Sequence, residues 1–191
     1  MKFPELVGKV LTEDKIAKIP VTILTLDPGE TTGWAIWHRT EWFPDGIVRE
    51  NPIVGVAYPK LFETGQADTK KLHTALSEPT SIAGLIKSFG PDLVVMEDYR
   101  IYEWKAEEHS WSSVHTIQLI GLIKTLCIQQ NIPFVLQSAQ VAKQFCTDDK
   151  LESWGYWQKG MRHARDAIRH GAYYLLFGSQ KSYDPDGYVI K

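Results

Sequence analysis

The 191-residue sequence predicts an α/β fold: a mixed β-sheet with helices on both faces. Three observations lead there. Several short apolar, β-branched runs, bounded by Gly, Pro and Asp, have the length and composition of strands. The first two lie one tight turn apart, as in a hairpin, whereas the later ones alternate with helical stretches. Composition is that of an ordinary globular chain, 43% apolar and 23% charged, which excludes a wholly disordered chain.

Residues 1–20 form a poorly patterned lead-in with room for a turn or two of helix. VTILTL (21–26), ended by Asp-Pro-Gly, reads as a buried strand entering a tight turn, and GWAIW (33–37) as its hairpin partner. Pro44, Gly46 and Pro52 mark residues 39–54 as an insertion loop. A third strand falls within 55–66, around LFETG. Residues 70–89 are helical in pattern with a break at Pro79, and DLVVME (92–97) is a strand closed by an acid. Residues 110–130 form the longest helix, nearly ringed by Val114, Ile117, Leu119, Ile120, Leu122, Ile123 and Leu126. A helix apolar on so much of its surface is buried or shared with a second subunit. IPFVLQ (132–137) is the last strand, and SAQVAKQF opens a short helix with Ser138 as its N-cap. Residues 147–160 read as a polar, Trp-rich loop, 161–177 as a helix and 178–191 as a tail. The organisation is one domain over 21–177 between a lead-in and a tail.

No apolar run approaches the roughly 20 residues of a membrane-spanning helix, and the charged N-terminus does not read as a secretory signal. Cys127 and Cys146 are the two cysteines, too few for a disulfide framework, so a reducing cytoplasm is the expected setting. Net charge is −2, which does not announce a nucleic-acid binder. The distribution says more: residues 159–181 hold Lys159, Arg162, Arg165, Arg169 and Lys181 against Asp166 alone, a local basic field able to attract phosphates.

Three acids stand out by position. Asp27 and Glu97 end apolar strand-type runs, and functional groups of open α/β sheets gather beyond the carboxyl ends of strands. Asp27 could instead merely shape its turn, and Glu97 a salt bridge. Facing each other across adjacent strands, they would need a cation, because like charges at close range otherwise force protonation. On the 161–177 helix, about 100° per residue places Ala164, Ala167, Ile168, Gly171 and Leu175 on a core stripe. His163, Asp166 and His170 flank that stripe, and Arg162, Arg165 and Arg169 fall on the far side from the core. The arginines could be no more than a solvated face. Combined with Asp27 and Glu97, however, His163 and Asp166 complete an oxygen-rich cluster suited to Mg²⁺ or Mn²⁺, the imidazole serving as ligand or proton carrier. Two ions in such a cluster activate a water and stabilise the departing oxygen of a phosphodiester, and neighbouring arginines then hold backbone phosphates.

LDPGETTGWA, VVMED, SSVHTIQLIGLI leading into IPFVLQSAQVAKQF, and HARDAIRHGAYYL follow the order seen in RuvC-type Holliday junction resolvases, of the ribonuclease-H-like superfamily. The chain resembles that family over about residues 21–177, and its compact form with a His-x-x-Asp helix looks most like bacteriophage versions. The resemblance implies a five-stranded mixed sheet with helices on both faces. It implies a homodimer joined through the long central helix and metal-dependent cutting of branched DNA, above all the four-way junction. It makes Asp27, Glu97, His163 and Asp166 the catalytic, metal-binding set for two Mg²⁺ or Mn²⁺ ions. His163 departs from the Asp of many bacterial members. The same resemblance points to Tyr99, Arg100 and Tyr102 after the fourth-strand acid, and to Lys143, as DNA contacts beside Arg162, Arg165 and Arg169. The expected setting is the cytoplasm of a bacterial or phage-infected cell.

Rival readings remain at this level. DPGETTG is close to the phosphate loop of actin-like ATPases and sugar kinases, although the chain is short for two such domains and lacks a second Gly-rich loop. A related nuclease acting on RNA, flaps or forks would share the metal site. A junction-binding scaffold without catalysis would be favoured by loss of one of the carboxylates, and all three are present.

Overall fold

The computed structural model describes residues 1–40, 58–77, 81–99 and 111–178. The lead-in folds as two short helices, α1 (Phe3–Val10) and α2 (Glu13–Ala17). Phe3 and Val7, four residues apart on α1, are both fully buried. The hairpin follows as β1 (Thr22–Asp27) and β2 (Thr31–Thr40), then β3 (Tyr58–Asp68). Two helices follow, α3 (Thr74–Ser77) and α4 (Ile82–Phe89); the break expected at Pro79 lies outside the described residues. Ser81 caps α4 by accepting from the Gly84 amide, and Gly90 ends it in the left-handed region at φ 51°. Then come β4 (Leu93–Asp98), α5 (Trp111–Gln129), β5 (Phe134–Ser138), α6 (Ala139–Phe145), α7 (Asp148–Trp154) and α8 (Arg162–Phe177).

The five strands form one mixed sheet in the order β3-β2-β1-β4-β5. The β1–β2 and β2–β3 pairs are antiparallel, and the β1–β4 and β4–β5 pairs are parallel. Alternation along each strand divides the core in two. Ile23, Ala35, Trp37, Leu93 and Val95 pack with α1, α6, α7 and α8 on one face. Leu24, Leu26, Trp34, Ile36, Val94 and Met96 pack with α4 and α5 on the other. Helices therefore cover both faces, as expected.

The stretch read as a loop over 147–160 contains α7. Asp148 and Asp149 sit in its first turn, where the helix dipole favours acids, and Gly155 closes it at φ 79°. Its apolar residues Leu151 and Trp154 are buried, and Trp154 and Tyr156 pack on the Phe3 ring. Those two aromatics thus cover the core. The 41–57 part of the insertion and residues 179–191 of the tail lie outside the described residues. No helix among the described residues is long and apolar enough to cross a membrane.

Candidate active site

The period of two along each strand decides which side chains face α8. On β1 that set is Ile23, Thr25 and Asp27, and on β4 it is Leu93, Val95 and Glu97. Leu26 pairs with Met96, so Asp27 and Glu97 follow next on adjacent parallel strands. Glu97 pairs in turn with Gln137 of β5. From above, α8 presents His163, Asp166 and His170 at i, i+3 and i+7, one face of a helix. Two features bring that helix down onto the sheet. The Thr25 hydroxyl donates to the Ala167 carbonyl at 2.7 Å inside the core. Gly33 of β2 lies against the first turn of α8, where a Cβ would stand 1.9 Å from the His163 carbonyl oxygen. Only glycine permits that approach. The His163 amide is also fixed, donating to Gln66 Oε1 at 3.0 Å.

Each acid is engaged. Asp27 Oδ2 lies 2.7 Å from His163 Nδ1. Glu97 Oε2 meets His170 Nε2 at 3.0 Å and Lys143 Nζ at 3.3 Å. The same Lys143 nitrogen is 3.3 Å from Asp166 Oδ2. Arg169 takes the other Asp166 oxygen through Nη1, Asp148 through Nη2, and the Cys146 carbonyl through Nε at 2.9 Å. His170, fully buried, places Nδ1 2.8 Å from Gln137 Oε1.

The electrostatics record the crowding. Burial pushes the Asp27 carboxyl above the ordinary range, and the nearby Glu97 and Asp166 charges add to that against the lowering hydrogen bond with His163. Glu97 goes the other way. Burial disfavours its charge, but the hydrogen bond and charge of His170, the Lys143 ammonium and a hydrogen bond with the Asp27 carboxyl bring it down to about 2. The bond to Asp27 raises the His163 imidazole above its usual value, with burial opposing. Lys143 is also raised: burial works against its charge, and Glu97, Asp166 and Asp27 together outweigh it.

A cleft of about 420 Å³ opens beside these groups, lined by Pro28, Gly29, Glu30, Thr31, Glu97, Tyr99, Thr116 and His163. The donor types (three carboxylates and an imidazole) suit a hard divalent cation. As the side chains stand, no group of three or more His, Cys, Asp or Glu among the described residues is arranged to hold a metal ion. The reason is local. Asp166 and Glu97 are turned toward Lys143, Arg169 and His170, and Asp27 toward His163. The residues fit an ion in kind, with protein cations holding their oxygens.

Of the residues predicted from sequence, Asp27, Glu97, His163, Asp166 and Lys143 come together, and Tyr99 lines the cleft beside them. Arg162 is exposed on the first turn of α8. Arg100 and Tyr102 lie outside the described residues. The placing of Arg162, Arg165 and Arg169 together on the side away from the core, as phosphate contacts, is corrected: Arg169 is only 9% exposed and engaged by internal partners. Arg165 is half-buried, with its guanidinium 4.2 Å from the Trp157 ring centre and bonded to the Gln158 carbonyl. The cause is that the end of α6, the start of α7 and the Trp157–Gln158 segment after α7 cover the helix flank a sequence projection leaves to water. Sequence reasoning gave no role to Gln137, Asp148 or His170. For His170 the signal was present, four residues after Asp166 on the same face, and for Gln137 it was the strand parity shared with Glu97.

The turn after β1 has a definite internal use. Thr32 and Thr69 are buried, their hydroxyls 2.7 Å apart, and Thr69 donates to the Gly29 carbonyl at 2.5 Å. These hydroxyls brace the turn instead of facing a nucleotide, which counts against the phosphate-loop reading.

No protein-family model matches the chain, and no curated protein sequence does. Solved structures do. RuvC from Thermus thermophilus has a TM-score of 0.58 at 13% identity, covering 85% of this chain and 99% of that one. RuvC of the same organism in complex with a Holliday junction substrate gives 0.58 at 12% identity, with the same coverage. The likeness shows the fold: the chain has the RuvC-like, ribonuclease-H-like architecture expected from its motifs.

Proposed function

We propose that this chain is a divalent-metal-dependent endonuclease that resolves four-way DNA junctions, acting as a homodimer in a bacterial or phage-infected cytoplasm. The observation that carries this reading is the convergence of Asp27, Glu97 and Asp166, from β1, β4 and α8, beside an open cleft of the RuvC-like fold. The RuvC that shares the fold is seen holding a Holliday junction substrate. The three carboxylates, with His163 at their edge, would hold two Mg²⁺ or Mn²⁺ ions. Such ions supply Lewis acidity toward the scissile phosphate and its attacking water.

The chain's own groups do the rest. Asp27 fixes the His163 ring through Nδ1, which leaves Nε2 as the nitrogen able to take or give a proton. His170, itself held by Gln137, orients Glu97. Arg162 and Tyr99 flank the cleft as contacts for backbone and base, with Arg100 and Tyr102 continuing the Tyr99 segment. A second copy pairs through α5.

Asp27→Asn tests the site. The variant should lose junction cutting while keeping junction binding, because a ligand is lost and the basic surface stays. Normal turnover in Mg²⁺ would refute the assignment. A gel assay with four-way junction, fork, flap, RNA hybrid and linear duplex, in Mg²⁺, Mn²⁺ and EDTA, reads substrate choice. Preference for a flap or RNA hybrid over the four-way junction would move the reading to a related nuclease of the same fold.

A further inference from the structure

Lys143 stands between two acids that no backbone element joins. Glu97 ends β4 and Asp166 lies on α8, yet one ammonium is 3.3 Å from Glu97 Oε2 and 3.3 Å from Asp166 Oδ2. The lysine is carried by α6, which starts directly after β5, the strand paired with Glu97, so its place is set by the sheet itself. The second Asp166 oxygen belongs to Arg169, whose guanidinium is buried and pinned by Asp148 and the Cys146 carbonyl. Lys143 differs. Its side chain is 40% exposed and ends a flexible four-carbon stem, so it can leave at little cost where Arg169 cannot.

An ion shared by Glu97 and Asp166 would compete with the ammonium, above all for Asp166 Oδ2, since the other Asp166 oxygen is held by Arg169. A doubly charged ion binds carboxylate oxygens at about 2.1 Å, closer and with twice the charge of an ammonium. We infer that Lys143 is a tethered counter-ion: it keeps Glu97 and Asp166 together while no divalent ion is present and gives way when one binds. This rests on the reading that these carboxylates bind divalent ions. It goes beyond that reading by assigning to Lys143 a role independent of DNA. The lysine bridge and the ion are mutually exclusive occupants of the pair.

The two consequences have opposite signs, which sets the idea apart from a structural lysine. Removing the ammonium leaves two carboxylates facing each other, so metal-free stability falls. It also removes a competitor, so ion affinity rises. The experiment is a Mn²⁺ titration of the full chain without DNA, following free Mn²⁺ by electron paramagnetic resonance, for wild type, Lys143→Met, Lys143→Gln and Lys143→Arg. Thermal melts in EDTA accompany it.

Both neutral variants should bind Mn²⁺ roughly tenfold more tightly than wild type while melting lower in EDTA. Lys143→Arg, which keeps the charge, should resemble wild type in both. The glutamine variant keeps the test open should the methionine variant not fold. Mn²⁺ binding by wild type that is equal or weaker in the neutral variants overturns the inference and leaves the nuclease reading standing. A lysine serving only as a phosphate contact gives that result. Absence of Mn²⁺ binding in every form overturns both.

Discussion

Arg169 shows how far one side chain can depart from its position on a helical projection. All three of its donor directions end on protein groups: Asp166, Asp148 and the Cys146 carbonyl. Removing one partner of a buried, hydrogen-bonded ion pair leaves the other charge uncompensated, so Arg169→Met should cost on the order of 3 kcal/mol in urea unfolding. Loss below about 1 kcal/mol would return Arg169 to the surface class. Arg162→Ala is the contrast. This exposed residue should leave stability unchanged, weaken junction binding and lower the slope of log affinity against log salt by about one. The sequence placed both arginines on one row because a projection knows the helix but not its cover, and that cover includes α7, whose DDKLESW segment reads as polar loop. Burial pushes the Cys127 and Cys146 thiols up to about 12, so neither should react with Ellman's reagent at pH 8 until the chain is unfolded. A raised thiol pKa contributes stability that is present below the ordinary value of 9.0 and lost as pH climbs toward 12. The urea midpoint should therefore fall across that alkaline range.

Between elements, the contact of α8 with β1 and β2 sets the geometry of the site. Asp27 and Glu97 were legible because each ends an apolar run and strand alternation turns both to one face. His163 and Asp166 were legible because a three-residue spacing shares a helix face. What joins the two sets was not. Gly33 read as a strand residue after a turn, and nothing in the local pattern says that a helix 130 residues later begins against it. Contacts of that kind come from packing and have no local signature. Gly33→Ala tests how strongly they matter. The added methyl would meet backbone atoms of His163 at 1.9 Å and Ala164 at 2.7 Å, which cannot swing aside as a side chain can. Either α8 lifts from β2 or the strand bends. The cost should be about 3 kcal/mol, at the upper end of core overpacking. Junction cutting should fall more steeply than the loss of folded protein explains, because the His163–Asp27 pair spans the displaced contact. Wild-type activity and melting in this variant would mean that the site tolerates movement of its own frame.

At the scale of the molecule, the two faces of the sheet are covered differently. The α8 face is closed in by α1, α6 and α7, whereas the described residues cover α5 on the other face from one side only. Leu119, Ile123 and Cys127 turn inward and are fully buried. Val114, Ile117 and Ile128 remain 40%, 41% and 46% exposed, spaced with Gly121 at i, i+3, i+7 and i+14 along one stripe. A helix apolar on two opposite sides was legible from sequence as buried or shared, and the structure shows which side the fold itself uses. An apolar stripe with a glycine at its middle lets a second copy of the same helix approach closely, and a two-fold axis through Gly121 would make the stripe self-complementary. In the proposed dimer this stripe is the seam, holding two clefts on one rigid body so that opposed strands of a four-way junction are cut in one complex. Ile117→Glu puts two like charges at that seam. Because the residue is exposed in the single chain, monomer stability should shift by less than about 0.5 kcal/mol. Sedimentation velocity should report a dimer for wild type and a monomer for the variant, and junction products should change from paired cuts to single nicks. Wild type sedimenting as a monomer at micromolar concentration, or Ile117→Glu remaining a dimer, would remove α5 as the seam and leave each cleft to act alone.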